Sequence, residues 1–468
     1  MTVSGRDITP SRLAVLALGL IVLAAALIGS GASYLGAVVA IATVALALVF
    51  VVHPVAAVLA LVSVRPLVDS FVHQRLVWRS FSVSLGTAWG AIFIITLLAY
   101  FVRRRPPRSL AAGYLVPVLF LVGYALLTLG RDGRERAVTN GSRVAALILL
   151  MLAIEGITRN SRGQTVVVLA FYPVAIMSVI SVGIALMRNR YGTAYYDLAL
   201  PTSRDQLPYA YAEFALLIIP FIFGAIMAGF YKILPSTLAA LLTASVILSF
   251  SRTTYLALAL IGAAFLLVAL RNRQAYALFA LLGMIAVAVA SSALFYHRIV
   301  ERFLHGGQRL VVWKMVLHSV LAQPSTVLLG GGANFSLHAF SPGVAYLAHN
   351  DLLEVFATGG IVLVVLFVGL LVWMAAPLVR LARSRRHTLP ARDFGVVCVA
   401  AFCAFVAMGM LDEIIFTVPS VVMAVLVGLV RGMNSTPNAT FMEQRLSSSP
   451  FVGPCRTAAS VGRLPDSG

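Results

Sequence analysis

The sequence predicts an all-α fold: a polytopic helical bundle in a membrane, with about 12–14 transmembrane helices. Three observations carry that prediction. Of 468 residues, 60% are hydrophobic and only 11% are charged, against about 25% charged in a soluble domain. Apolar runs of membrane-spanning length recur along the chain. The only substantial gaps between them are roughly 66–83, 131–142, 188–208 and 297–345. Together these exclude a soluble enzyme, a nucleic-acid regulator and a disordered chain.

The runs are taken in order. Helices are expected near 12–30, 34–52, 54–65, 84–102, 110–129, 143–158 and 165–187. A second series follows near 209–230, 233–250, 252–270, 275–296, 346–376, 394–411 and 414–431. The first run, preceded by Arg12, is about 18 residues, too long for the apolar part of a signal peptide, so it reads as a retained helix. The segments 54–65 and 143–158 are short enough to be re-entrant or interfacial. The longest gap, 297–345, precedes the third-last span and holds an amphipathic stretch, 308–322, expected to lie along the membrane surface with Leu310, Val311, Met315, Leu317 and Leu321 as its apolar side. Residues 1–432 form one membrane domain. The tail 433–468, rich in Ser, Pro, Gly and Arg, is expected to be disordered.

Charge gives orientation. The net charge is +19, and of 35 basic residues only Lys232 and Lys314 are lysine. The basic clusters at Arg103–Arg108 and Arg380–Arg392 fall on one side, which the positive-inside rule makes cytoplasmic. Both termini then lie inside and the long loops outside. About 15 of the 35 basic residues remain outward on this topology, Arg131, Arg134, Arg136 and Arg143 among them, against the rule. They either snorkel to lipid phosphates and pair with acids, or line a site for an anionic ligand, which guanidinium groups suit.

Cys398, Cys403 and Cys455 make no CxxC pair, so neither a disulfide framework nor a zinc site is expected. Three local features remain. In Phe250-Ser251-Arg252-Thr253-Thr254-Tyr255 a charge interrupts an apolar run at a join too short for an ordinary loop. Arg252 is either a snorkelling residue in a tight turn or the partner of an anionic ligand; unpaired burial there costs about 2.5–3.5 kcal/mol. In the long loop, Arg309 and Trp313 share a helix face. Gln323-Pro324 follows, and then Gly330-Gly331-Gly332, a run that allows unusual dihedrals or close backbone approach. It lacks the following Lys-Ser/Thr of a nucleotide loop. The third feature is His349-Asn350-Asp351-Leu352-Leu353-Glu354, ending in Gly359-Gly360-Ile361. Asn350 or Asp351 suits a helix N-cap. That leaves His349, a candidate general base, and Glu354, one turn deeper, placed to orient Asn350 or an arginine. Asp412-Glu413 is an alternative acid/base pair in a short turn.

The ordered set Ser251-Arg252, Arg309/Trp313/Pro324/Gly330–Gly332 and His349-Asn350…Glu354 with Gly360-Ile361 resembles the O-antigen ligase and O-antigen polymerase group over about 230–376. The resemblance implies a metal-independent, inverting glycosyltransferase of the plasma membrane, without cofactor, its active site facing outward. It implies a donor glycan on undecaprenyl pyrophosphate, an acceptor hydroxyl on a glycan or lipid, and no nucleic-acid partner. By the same resemblance Arg252 and Arg309 hold the pyrophosphate and His349 serves the acceptor hydroxyl, with Asn350, Glu354, Trp313, Gly330 and Gly332 in support. The alternative is a lipid-linked oligosaccharide flippase, which would show paired halves and deep helix charges. A cell-wall glycan polymerase of the shape-and-division type ranks below both, for want of an outward catalytic carboxylate in a matching setting.

Overall fold

The computed structural model describes residues 45, 49, 53–69, 75–78, 81–103, 113–131, 133–176, 179, 207–227, 233–248, 252–272, 307–335, 350–411 and 418–435. Expected spans 12–30 and 275–296, nearly all of 34–52, His349, Asp412-Glu413 and the tail beyond 435 lie outside them.

The order is α1 (Pro54–Asp69), β1 (Arg75–Trp78), β2 (Phe81–Ser84), α2 (Leu85–Arg103), α3 (Leu115–Thr128), α4 (Arg134–Ile157) and α5 (Ser161–Leu169). Then come α6 (Leu207–Met227), α7 (Ile233–Leu248), α8 (Arg252–Asn272), α9 (Gly307–Leu321), α10 (Pro324–Leu329), α11 (Asp351–Arg383), α12 (Leu389–Gly409) and α13 (Val418–Asn434). This is an all-α membrane bundle. Among the described residues, α4 from Arg136, α11 and α12 are long and apolar enough to cross a membrane. Shorter apolar stretches lie in α1–α3, α6–α9 and α13.

Local chemistry sets several boundaries. Proline opens α1 and α10 and stands second in α12, where a missing N–H costs nothing. Asn160 caps α5, its side-chain oxygen accepting from Gly163 N at 2.7 Å. Asn350 caps α11 in the same way, accepting from Leu353 N at 2.9 Å.

Two expectations are corrected, and the two faces of α9 are distinguished. The gap 66–83 holds a short antiparallel hairpin, Arg75 opposite Ser84 and Trp78 opposite Phe81. The gap 131–142 is mostly the first turns of α4, which begins at Arg134; hydropathy marks what lipid tolerates, not where a helix starts. In α9 the face packed on the bundle is Val312, Val316 and Val320, four residues apart. Leu310, Val311, Met315, Leu317 and Leu321 are the exposed side chains.

The centre of the bundle is built on α6 and α13, apolar all round, as a helix surrounded by others should be. Residues 215–225 and 422–430 are buried almost without interruption. Gly428 and Gly432 let α13 approach α4 closely: a Cβ at Gly428 would stand 2.7 Å from Met151 O. Long helices run from end to end. Tyr114 and Trp373 pack edge to face at one end. At the other end α3 leads into Arg131, α4 starts, and α11 starts.

Candidate functional site

The end of the bundle at the start of α11 collects most of the motif residues. Asn350 ties two helices there: its Oδ1 caps α11, and its Nδ2 donates to Met410 O, at the close of α12, at 2.7 Å. Arg252 opens α8 at the same end. Phe223 packs edge to face on Phe265, and the neighbouring Gly224 faces the ring of Phe394. The later half of α8 is thus level with the start of α12. The two helices pack along their lengths, so they run antiparallel, and Arg252 lies level with the end of α12.

A break in α11 organises the rest. Gly360 has φ 64° and ψ −162°, which divides α11 into segments 351–359 and 361–383. In an unbroken helix the carbonyls of Ala357 and Thr358 would accept from residues 361 and 362. Here they accept from the glycine loop: Gly331 N donates to Ala357 O at 2.8 Å and Gly332 N to Thr358 O at 3.0 Å. The approach is backbone on backbone. A side chain at Gly330 would strike the Thr358–Gly359 peptide, and one at Gly360 would strike the Leu328–Leu329 peptide. Gly330 and Gly332 also have positive φ, 71° and 102°. Gly330 and Gly360 are therefore required by both dihedral and clearance, and Gly332 by its dihedral.

The turn between α3 and α4 closes on this loop. Arg131 Nη1 donates to Leu329 O at 2.8 Å and also to Gly330 O, serving carbonyls left open at the end of α10. Gly133, at φ 84°, is packed on Asn334: a Cβ there would come within 2.7 Å of the Asn334 amide nitrogen. One turn on, Arg136 Nη2 meets Glu354 Oε1 at 3.1 Å. The Glu354 side chain is only 5% exposed, so its charge needs a cation beside it.

Helix α9 covers the first segment of α11. Val316 and Val320 pack with Ala357, and Leu353, Phe356 and Phe335 close around them. Trp313 lies half-buried on the same side. Arg309 sits in the first turn of α9, seven residues before Val316 and so at the same register of the helix.

Of the residues singled out by sequence, Asn350, Glu354, Gly330, Gly332 and Trp313 fall in one neighbourhood, and the backbone of Arg252 and of Arg309 comes to the same end. His349 is outside the described residues and directly precedes Asn350. Asn350 is engaged as a helix cap and a tie to α12. Glu354 meets an arginine rather than Asn350. Sequence reasoning named Arg131 and Arg136 only as outward charges. The usable signal was the pair Asp351 and Glu354, both buried, since acids in an apolar helix demand partners.

No curated protein matches the chain. Residues 237–368 match the family model of the O-antigen ligases, which supports a relationship of that segment to the O-antigen ligase and polymerase family.

Proposed function

We propose that this protein transfers or polymerises a glycan from an undecaprenyl-pyrophosphate carrier onto an acceptor hydroxyl at the outer face of the plasma membrane. The family-model match over 237–368 supports an O-antigen ligase or polymerase type of activity in surface-polysaccharide synthesis. The observation that carries the finer reading is convergence. The glycine loop binds the first segment of α11, α9 covers that segment, and the start of α8 lies level with the same end of the bundle, although these pieces are scattered from 252 to 359 in the chain.

The chemistry asked of the site is displacement at an anomeric carbon. The acceptor oxygen forms the new bond to that carbon as the bond to the pyrophosphate oxygen breaks. The electron pair leaves with the pyrophosphate, and His349 takes the hydroxyl proton. Negative charge grows on the leaving group, and fixed guanidinium groups in a partly dry site stabilise such charge most. Arg252 and Arg309 supply them. Arginine's fork suits a diphosphate better than lysine's point charge.

The test uses the full chain in lipid nanodiscs with an undecaprenyl-pyrophosphate-linked oligosaccharide. His349→Ala should lower transfer by about 100-fold or more while leaving undecaprenyl pyrophosphate binding intact. Arg252→Ala and Arg309→Lys should weaken that binding. Normal transfer by a folded His349→Ala protein sinks the assignment of the base. A ladder of repeating products identifies a polymerase; a single addition to a lipid acceptor identifies a ligase.

A further inference from the structure

The family match stops at residues 237–368, yet the segment that follows His349 is held from outside it. We propose that Arg136 is a positioning residue of the transferase site: through Glu354 it fixes segment 351–359, and with it the His349–Asn350 step. Arg131 is the second limb of the same clamp. This rests on the reading of His349 as the base.

Segment 351–359 is the piece of α11 most in need of such holding. The break at Gly360 separates it from the rest of the helix, so the rigidity of 361–383 is not passed on to it. What fixes it instead comes from four sides: the Asn350 tie to Met410, the amides of Gly331 and Gly332, the Val316/Val320 packing of α9, and Arg136. Three of these act on its backbone or its apolar face. Arg136 alone among them grips a charged side chain, the buried Glu354 carboxylate. The grip is anchored, because Arg136 stands in the first turn of α4 and α4 continues into the core. Arg131, at the end of α3, meanwhile holds the carbonyls of Leu329 and Gly330, beside the glycine amides that bind Ala357 and Thr358. Both limbs spring from one turn, with Gly133 packed on Asn334 between them. A shift of that turn would move segment and glycine loop together. Misplacement of a reacting group by about 1 Å costs about 100-fold in rate.

The experiment uses the full chain in nanodiscs and three readouts: thermal unfolding, binding of undecaprenyl pyrophosphate, and transfer from an undecaprenyl-pyrophosphate-linked oligosaccharide. Arg136→Gln should lower transfer by about 10–100-fold, leave KM and carrier binding within about twofold, and remain folded. The exchange Arg136→Glu with Glu354→Arg should restore at least about tenfold of the loss, because the pair is re-formed with its signs reversed. If Arg136→Gln does not fold, Arg136→Lys takes its place, with the same loss of rate expected at unchanged carrier affinity. Unchanged transfer overturns the proposal. So does a loss of carrier affinity equal to the loss of transfer, which would make Arg136 a ligand contact, and so does failure of the exchange to restore rate. Failure of the underlying reading looks different: the wild-type protein itself would neither bind the carrier nor respond to His349→Ala.

Discussion

Glu155 and Arg431 meet at 2.6 Å, carboxylate Oε2 to guanidinium Nε, at the end of the bundle opposite Asn350. Tyr114 donates to the same oxygen at 2.9 Å, and the Arg431 guanidinium lies 4.8 Å from the Tyr114 ring and 4.5 Å from the Trp373 ring. Four helices, α3, α4, α11 and α13, are joined by one cation. Replacing Arg431 with alanine leaves a buried carboxylate without its main partner, and should cost about 3–5 kcal/mol. Arg431→Lys should fall between, since it keeps charge and loses the flat stacking. Thermal unfolding in nanodiscs checks the order.

The glycines at the break in α11 and a glycine farther along that helix should behave oppositely. Gly360→Ala or Gly330→Ala forces a side chain into a neighbouring peptide at positive φ, so each should destabilise by at least about 2 kcal/mol. Gly369, in the same helix, has open space where a Cβ would go. Gly369→Ala should stay within about 1 kcal/mol of wild type. Equal behaviour of the two classes would mean that the break at 360 is not fixed by the glycine loop.

Asn350 does two jobs with one amide. Asn350→Asp keeps the acceptor for Leu353 N and loses the donor to Met410 O, whereas Asn350→Ala loses both. The alanine variant should be less stable by about 1–2 kcal/mol. Helix α12 should loosen at its Met410 end in both variants, read as faster amide exchange there.

His387 lies in the turn between α11 and α12. Its burial pushes the imidazole below its ordinary range, and the hydrogen bond with Asn434 opposes the shift. The folded chain therefore prefers the neutral ring. Its contribution is fully present above the unfolded value of about 6.5 and is lost as pH falls through the lower folded value. Unfolding temperature should drop as pH falls below about 6.5, and His387→Gln should flatten part of that drop.

Much of the bundle is legible because lipid imposes one rule on every span. The runs at 233–250 and 252–270 match α7 and α8 to within two residues at each end. The hairpin is not legible: Arg75–Trp78 and Phe81–Ser84 are four residues each and sit in a polar gap that hydropathy scores as loop. Nor is the break at Gly360, where the surrounding sequence is uniformly apolar and the deviation is one of dihedral alone. The motif segments could be read in order along the chain, and the glycine run could be read as needing close approach. Which backbone it approaches, and which arginine meets Glu354, depend on α3, α4 and α11 folding together. No local pattern encodes a contact between residues so far apart in the chain.

The turn at 131–136 has a consequence for how this protein can be taken apart and rebuilt. A chimera that moves only residues 237–368 into a relative would carry the recognisable segment and leave behind both arginines that brace it. Such a graft should insert and fold yet work poorly, and adding the 128–140 stretch from the same parent should recover it. Inheritance of the reaction would then travel in two separated pieces of sequence, only one of which announces its family.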